Sequence, residues 1–185
     1  MIKSILIANR GEIACRIIKT SKKLGIKSSV IYSSEDENSL AVQMADHAFF
    51  LESKDGEKKE YLDTDQIISI ALKNKIEAIH PGYGFLSENA NFAKLVEDNG
   101  IKFIGPPYTA IKIMGDKIIS KKHAKNSGVS TIPGVQDEIK SFEDAVKASK
   151  KIGFPLMIKA SAGGGGKGMK VVEEESRLEN LFLTA

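Results

Sequence analysis

The chain has no tryptophan, one cysteine and only 6% aromatic residues in its 185 positions. A lone cysteine, Cys15, forms no internal disulfide, and no thiol and histidine cluster offers a zinc site. Set among Ile13, Ile17 and Ile18 on an expected helix, Cys15 reads as a small buried apolar residue. Arginine is scarce too, with Arg10, Arg16 and Arg177 the only three. Nucleic-acid binding draws on a clustered basic face with arginine and stacking aromatics. That scarcity, with a net charge of only +3, argues against such a partner. Nothing resembles a signal peptide, and no apolar run reaches the roughly 18 residues of a membrane span. A soluble protein of a reducing compartment is the expectation, with no membrane partner.

What the chain does have is glycine in one place. Lys159-Ala160-Ser161-Ala162-Gly163-Gly164-Gly165-Gly166-Lys167-Gly168 stands between two apolar runs, Pro155-Leu156-Met157-Ile158 and Met169-Lys170-Val171-Val172. The pattern predicts strand, glycine loop, strand, with apolar surface exposed on both strands. Four glycines strip a loop of side chains, so its N–H groups can approach a polyanion, and Lys159 and Lys167 add charge of the right sign. A Walker A loop fails here, because Ser161 holds its first glycine position, Gly168 follows the lysine, and a strand replaces the helix. A dinucleotide fingerprint fails for want of the same helix. A plain glycine linker remains the alternative, weakened by the apolar strand at each end.

Upstream, short apolar runs alternate with helical periodicity. Ser4 to Ala8, Ser28 to Tyr32, Ala48 to Leu51, Ala78 to His80 and Lys102 to Gly105 read as strands. Helices are expected from Ile13 to Leu24, from Ser39 to Ala45, after a capping box at Asp63 and Gln66, and around Phe92, Leu95 and Val96. Glu52 to Glu60 reads as a charged surface loop. The alternation predicts an α/β fold with a doubly wound parallel sheet. Pro106-Pro107 ends it. Two helical segments follow, then a helix capped by Ser141 and Asp144, then the glycine hairpin, so the domains are drawn at 1–110 and 111–185.

Asn9-Arg10-Gly11-Glu12 occupies the phosphate turn of a dinucleotide fold without its glycine pattern, and Glu12 would put a carboxylate where a phosphate sits. The first domain is therefore expected to bind no nucleotide. His80-Pro81-Gly82-Tyr83-Gly84-Phe85 lies at the carboxyl end of a strand, where ligands bind such sheets. Tyr83 and Gly84 line a small concave site or form a glycine turn with a packed ring, and both readings stand. His80 reads as a hydrogen-bonded core residue more readily than as a catalyst, and Glu88 as a helix N-terminal carboxylate. Lys117 opens a helix, where the dipole disfavours it; it is either a ligand contact or an ordinary surface lysine. Lys159 is better placed, at a strand end beside the loop.

Ile7 through Ala14, His80 through Phe92, Met114-Gly115-Asp116-Lys117 and Ile158 through Met169 together resemble the biotin carboxylase family, collinearly over the whole chain. Ala14-Cys15-Arg16 and Ser161-Ala162-Gly163 are most similar to its acyl-CoA carboxylase members, propionyl-CoA carboxylase above all. The resemblance implies a biotin carboxylase N-terminal domain followed by the start of an ATP-grasp domain. It implies that Lys117 and Lys159 pair with ATP phosphates, that Gly165 and Gly166 donate backbone N–H groups, that Met157 and Met169 flank the adenine, and that Tyr83 and Gly84 line the biotin region. The implied cofactors are ATP, Mg2+ or Mn2+, and biotin carried elsewhere. The implied partners are bicarbonate, a biotin carrier domain, a carboxyltransferase subunit and, at full length, a second copy of the chain. The cytoplasm or the mitochondrial matrix is the implied location.

Two departures go with it. The charged segment from Glu52 to Glu60 replaces a small, proline-containing one. Members of the family also continue past residue 185, so the catalytic residues and the metal-binding glutamates are expected outside this chain, which alone is expected to be inactive. A non-catalytic module of the same family, or another ATP-grasp ligase, is the alternative.

Overall fold

The computed structural model describes residues 1–53, 59–135, 138–159 and 168–184. The chain divides into two compact units, Met1–Ile113 and Met114–Ala185.

Unit 1 is built on five parallel strands: β1 (Ser4–Ile7), β2 (Lys27–Tyr32), β3 (His47–Phe50), β4 (Ala78–His80) and β5 (Lys102–Phe103), in the order β3-β2-β1-β4-β5. Alternation within β1 sorts the core into two layers. Ile5 and Ile7 point to one face with Val30 and Ala78, and meet Ala14, Cys15, Ile17 and Ile18 of α1 (Gly11–Lys23) and Ala41 of α2 (Leu40–Met44). Leu6 and Ala8 point to the other with Ile31 and Ile79, and meet Ile67, Ile68 and Ala71 of α3 (Thr64–Lys73) and Phe92 and Val96 of α4 (Ala90–Asp98). A sheet covered on both faces calls for apolar residues on both sides of its central strand, as Ile5, Leu6 and Ile7 of β1 provide. Cys15 is buried and unpaired, as its neighbours predict.

Side-chain caps start α2, α3 and α4: Ser39 accepts from Val42 N, Asp63 from Gln66 N at 3.0 Å and Asn89 from Phe92 N at 3.0 Å. The box expected at Asp63 and Gln66 is only half made. The Gln66 amide turns to the chain leaving β3, accepting from Glu52 N at 2.7 Å and donating to Glu52 O at 3.1 Å. It serves the backbone of the segment beyond the strand end, while the Asp63 N–H goes to Glu60 O. The charged-loop expectation for Glu52 to Glu60 falls partly outside the described residues, at 54–58. α5 (Tyr108–Gly115) follows β5.

Unit 2 opens with α6 (Lys117–Asn126), capped by Asp116, whose Oδ1 accepts from Ile118 N and Ile119 N, both at 2.8 Å. α7 (Phe142–Ile152) starts at Ser141, where hydroxyl and Asp144 satisfy one another as the spacing predicts. An antiparallel hairpin follows, β6 (Leu156–Lys159) with β7 (Met169–Val172), and then α8 (Leu178–Leu183). Val172, Leu178 and Ala145 are its buried apolar residues, and Phe142 meets Phe182 with ring centroids 6.3 Å apart.

Candidate functional site

In unit 1 the strand order reverses between β1 and β4, so the crevice at their carboxyl ends is where such a sheet accepts a ligand. Here that crevice is spanned by protein. Asn9, 2% exposed, donates through Nδ2 to Pro81 O at 2.7 Å and Tyr83 O at 3.0 Å, while its Oδ1 accepts from Arg10 N at 2.9 Å. Gly82 fits beneath it only because it lacks a side chain: a Cβ there would stand 2.6 Å from Asn9 Nδ2 and 2.8 Å from Ile13 Cγ2. Gly82 also donates its N–H to His80 Nδ1 at 3.0 Å. His80 is thus a hydrogen-bonded half-buried residue, and burial, aided by the charge of Arg16, holds its pKa below the ordinary value.

These bonds fix the loop that carries Tyr83 and Gly84. Tyr83 is 61% exposed, and it edges a concavity of about 540 Å³ lined also by Glu12, Ile13, Arg16 and Lys19. Glu12 lies in the first turn of α1, where a phosphate would otherwise sit. Glu88 differs from expectation. It precedes the cap residue Asn89, which accepts from Phe92 N, and the first turn of α4 holds no acid.

Beside the loop lies a cluster that sequence reasoning missed. Arg10 donates from Nε and an Nη to the two oxygens of Asp36, both at 2.5 Å, and Tyr61 donates to Asp36 Oδ2 at 2.6 Å. The Tyr61 ring stacks on Phe85 with centroids 5.3 Å apart. The hydrogen bonds from Arg10, more than any other cause, hold the Asp36 carboxyl below its usual range. Burial, with Asp36 alongside, pushes the Tyr61 phenol up to about 12. Only Asn9 and Arg10 carried a signal, as members of the Asn9-Arg10-Gly11-Glu12 stretch; Asp36 and Tyr61 are brought in by the fold.

In unit 2 the register settles which hairpin residues act together. Met157 pairs with Val171 and Lys159 with Met169, so these four share one face, and all are exposed. Leu156, Ile158 and Val172 take the other, and Val172 is fully buried. The expected apolar exposure on both strands holds for Met157, Met169 and Val171, while Leu156 and Ile158 are half-buried and Val172 is buried, because strand alternation turns these three to the opposite face. What remains is a cation between two thioether side chains, with Val171 as an unforeseen fourth member. Such a face suits a flat heteroaromatic ring on its apolar part and a phosphate at Lys159. Lys117 is exposed as the first residue of α6. Gly165, Gly166 and Lys167 lie outside the described residues. Among the described residues no group of three or more His, Cys, Asp or Glu side chains could hold a metal ion. The described side chains therefore fit the base and phosphates of a nucleotide but supply no carboxylate set for magnesium.

Comparison with known proteins bears on both units. Residues 1–111 match the model of the biotin carboxylase N-terminal domain, and residues 116–185 that of the carbamoyl-phosphate synthase L chain ATP-binding domain. The chain is 50% identical over 185 residues to the propionyl-CoA carboxylase alpha chain of Ruegeria pomeroyi, covering all of this chain and 27% of that one. It is 48% identical over 180 residues to biotin carboxylase 1 of Bacillus subtilis, covering 97% and 40%. Among solved structures, the biotin carboxylase domain of Hydrogenobacter thermophilus 2-oxoglutarate carboxylase, in complex with MgADP, ADP and bicarbonate, superimposes with a TM-score of 0.92 at 44% identity, covering all of this chain and 40% of that one. A Campylobacter jejuni biotin carboxylase nucleotide complex gives 0.93 at 43%, covering 100% and 41%. The chain thus spans about a quarter of the first of these curated relatives and two-fifths of the second.

Proposed function

Since the chain belongs to the biotin carboxylase family, we propose that it forms the N-terminal part of a ligase that carboxylates biotin with bicarbonate at the expense of ATP. The observation that carries the reading is the collinear match of both units, with a lysine between two methionines on the exposed face of the hairpin.

Bicarbonate carbon is a poor electrophile. Transfer of the γ-phosphoryl group to a bicarbonate oxygen releases ADP and gives carboxyphosphate, whose breakdown to carbon dioxide and phosphate delivers the carboxyl group to a biotin ring nitrogen as the N–H proton passes to the phosphate. Catalysis of such a transfer is chiefly positioning and charge neutralisation. In this chain Lys159 and Lys117 hold phosphate oxygens, Gly165 and Gly166 donate backbone N–H groups, Met157 and Met169 hold the adenine, and the Tyr83–Gly84 loop receives biotin. Magnesium, when bound, would neutralise charge on the phosphates, and the described residues supply no carboxylate set to hold it. The partners are a biotin carrier domain, a carboxyltransferase and, at full length, a second copy, in the cytoplasm or the mitochondrial matrix. Propionyl-CoA is proposed as the final acceptor, supported by the propionyl-CoA carboxylase relatives. Methylcrotonoyl-CoA carboxylase, at 51% identity, makes methylcrotonoyl-CoA the competitor to assay beside it.

The test joins residues 1–185 to the remaining length of the Bacillus subtilis relative. Phosphate release from MgATP should then require both bicarbonate and free biotin, while the 185-residue chain alone shows none. A folded chimera that binds ATP but never depends on biotin sinks the proposal.

A further inference from the structure

We propose that Arg10 is a positioning residue for the Tyr83–Gly84 loop, acting through Asp36, Tyr61 and the Phe85 ring, while its neighbour Asn9 holds the same loop directly. That the loop receives biotin rests on the function proposed above; that Arg10 holds it does not.

The loop needs holding. Gly82, Gly84 and Phe85 have φ of 65°, 70° and 40°, so three of four consecutive residues sit in left-handed conformations. Phe85 is the costly one, because its Cβ crowds the backbone there, and such a conformation persists only where its surroundings over-determine it. Burial does not do so, since Phe85 is 46% exposed. Its described ring contact is the stack on Tyr61, at 5.3 Å and 29°. The Phe85 backbone lies inside the turn closed by Ser87 N donating to Gly84 O at 2.9 Å, and Leu86 beyond it is buried.

Tyr61 can orient Phe85 only if it is itself oriented. Its ring is 7% exposed, and its hydroxyl both donates to Asp36 Oδ2 and accepts from Ser33 N at 3.3 Å. Asp36 is held in turn by the two-pronged guanidinium, a geometry that fixes a carboxylate in plane as well as in distance. The same guanidinium lies 5.8 Å from the Tyr61 ring centroid, so Arg10 touches two members of the chain of contacts. Asn9 and Arg10, adjacent at the end of β1, thereby grip the loop from two sides. Ordering it before a ligand arrives removes that entropy cost from binding, and leaves the exposed Tyr83 ring in one place.

The experiment reads the loop in the chain itself, without biotin, by amide hydrogen exchange and proton NMR of the wild type, Arg10→Lys and Tyr61→Phe. Lysine keeps the charge but not the two-pronged bond, and phenylalanine keeps the stack but not the hydroxyl. In both variants the Ser87 amide should exchange about tenfold faster, a loss of about 1.4 kcal/mol of local protection. The ring-proton shifts that Tyr61 imposes on Phe85 should weaken. The amides of Lys27 and Ile104, which bond to Lys3 O and Ile79 O in the sheet, should stay within twofold. An unchanged Ser87 amide overturns the proposal, as does an equal acceleration of all three amides, which would make the cluster a general brace. Biotin-independent turnover in the chimera would remove the function proposed above and leave this result untouched.

Discussion

Replacing Gly82 with alanine tests the packing of Asn9 into the crevice, and Gly100 supplies the control. Both glycines lie in unit 1 with left-handed backbones, φ of 65° and 73°. At Gly100 a Cβ meets nothing within 4 Å, so Gly100→Ala carries only the conformational cost of about 1 to 2 kcal/mol. At Gly82 the same methyl stands 2.6 Å from Asn9 Nδ2 and 2.8 Å from Ile13 Cγ2, distances that a real Cβ does not adopt. Either the backbone shifts, at about 1 to 3 kcal/mol, or Asn9 swings away and leaves a buried amide short of Pro81 O and Tyr83 O, at a similar cost. Gly82→Ala should therefore be less stable than Gly100→Ala by about 2 kcal/mol. Unfolding in urea, followed by tyrosine fluorescence, reads unit 1 alone, because all four tyrosines lie there and the chain has no tryptophan. At a slope of about 1.5 kcal/mol/M the two midpoints should differ by about 1.3 M. Coincident midpoints would refute the argument, since they would mean that Asn9 can leave its place without loss.

The Tyr61 phenol, raised to about 12, contributes stability that is complete below its unfolded value of about 10 and lost as pH rises through 12; Tyr61→Phe should flatten that alkaline limb in urea midpoints measured against pH. Asp36, held low by Arg10, contributes above its unfolded value of about 3.9 and loses the contribution as pH falls through the folded one, so Asp36→Asn should lower the midpoint at pH 7 and flatten its acid dependence. Asp116→Ala leaves Ile118 N and Ile119 N without their cap and should cost unit 2 about 1 kcal/mol by hydrogen exchange in α6, while Asp116→Asn should recover most of it. In the chimera, Lys159→Ala should raise the KM for ATP by about tenfold or more, the loss of a charge-assisted contact of about 1.5 to 3 kcal/mol, and leave the KM for biotin unchanged; an unchanged KM for ATP would remove Lys159 from the phosphate site.

Local patterns carried the fold and stopped short of the contacts between distant segments. Ile5 and Ile7 against Leu6 and Ala8 announce a strand buried on both sides, and Ser141 with Asp144 announces a helix start, because each signal lies within a few residues. The Gln66 amide shows the limit: its spacing from Asp63 is that of a capping box, yet the backbone of Glu52 wins it once β3 brings that segment alongside. The hairpin is similar. Two apolar runs around a glycine loop predict two strands, but which side chains meet depends on the register, and only the pairing of Lys159 with Met169 gathers Met157, Lys159, Met169 and Val171 on one face. Asp36 and Tyr61 lie 25 residues apart and carry no motif; a buried carboxylate needs a partner, but nothing local says that Arg10 is that partner.

The end of β1 shows why a nucleotide-type sheet need not bind a nucleotide. A crevice at a strand-order reversal serves a phosphate when small residues leave it open and a bare helix N-terminus faces it. Here the turn keeps one glycine, Gly11, and fills the rest. Asn9 spans the gap to the β4 loop, Arg10 turns aside to Asp36, and Glu12 presents a carboxylate in the first turn of α1. These side chains stand where a dinucleotide fold would contact phosphate, and the first two instead tie down the loop of Tyr83, Asn9 directly and Arg10 through Asp36 and Tyr61. In the function proposed above the cation that a polyphosphate requires comes from unit 2 instead, where Lys159 stands at the end of β6. Glu12 offsets part of the charge that Arg16 and Lys19 bring to the same concavity, and in the function proposed above the exposed ring of Tyr83 meets the small uncharged ureido ring of biotin.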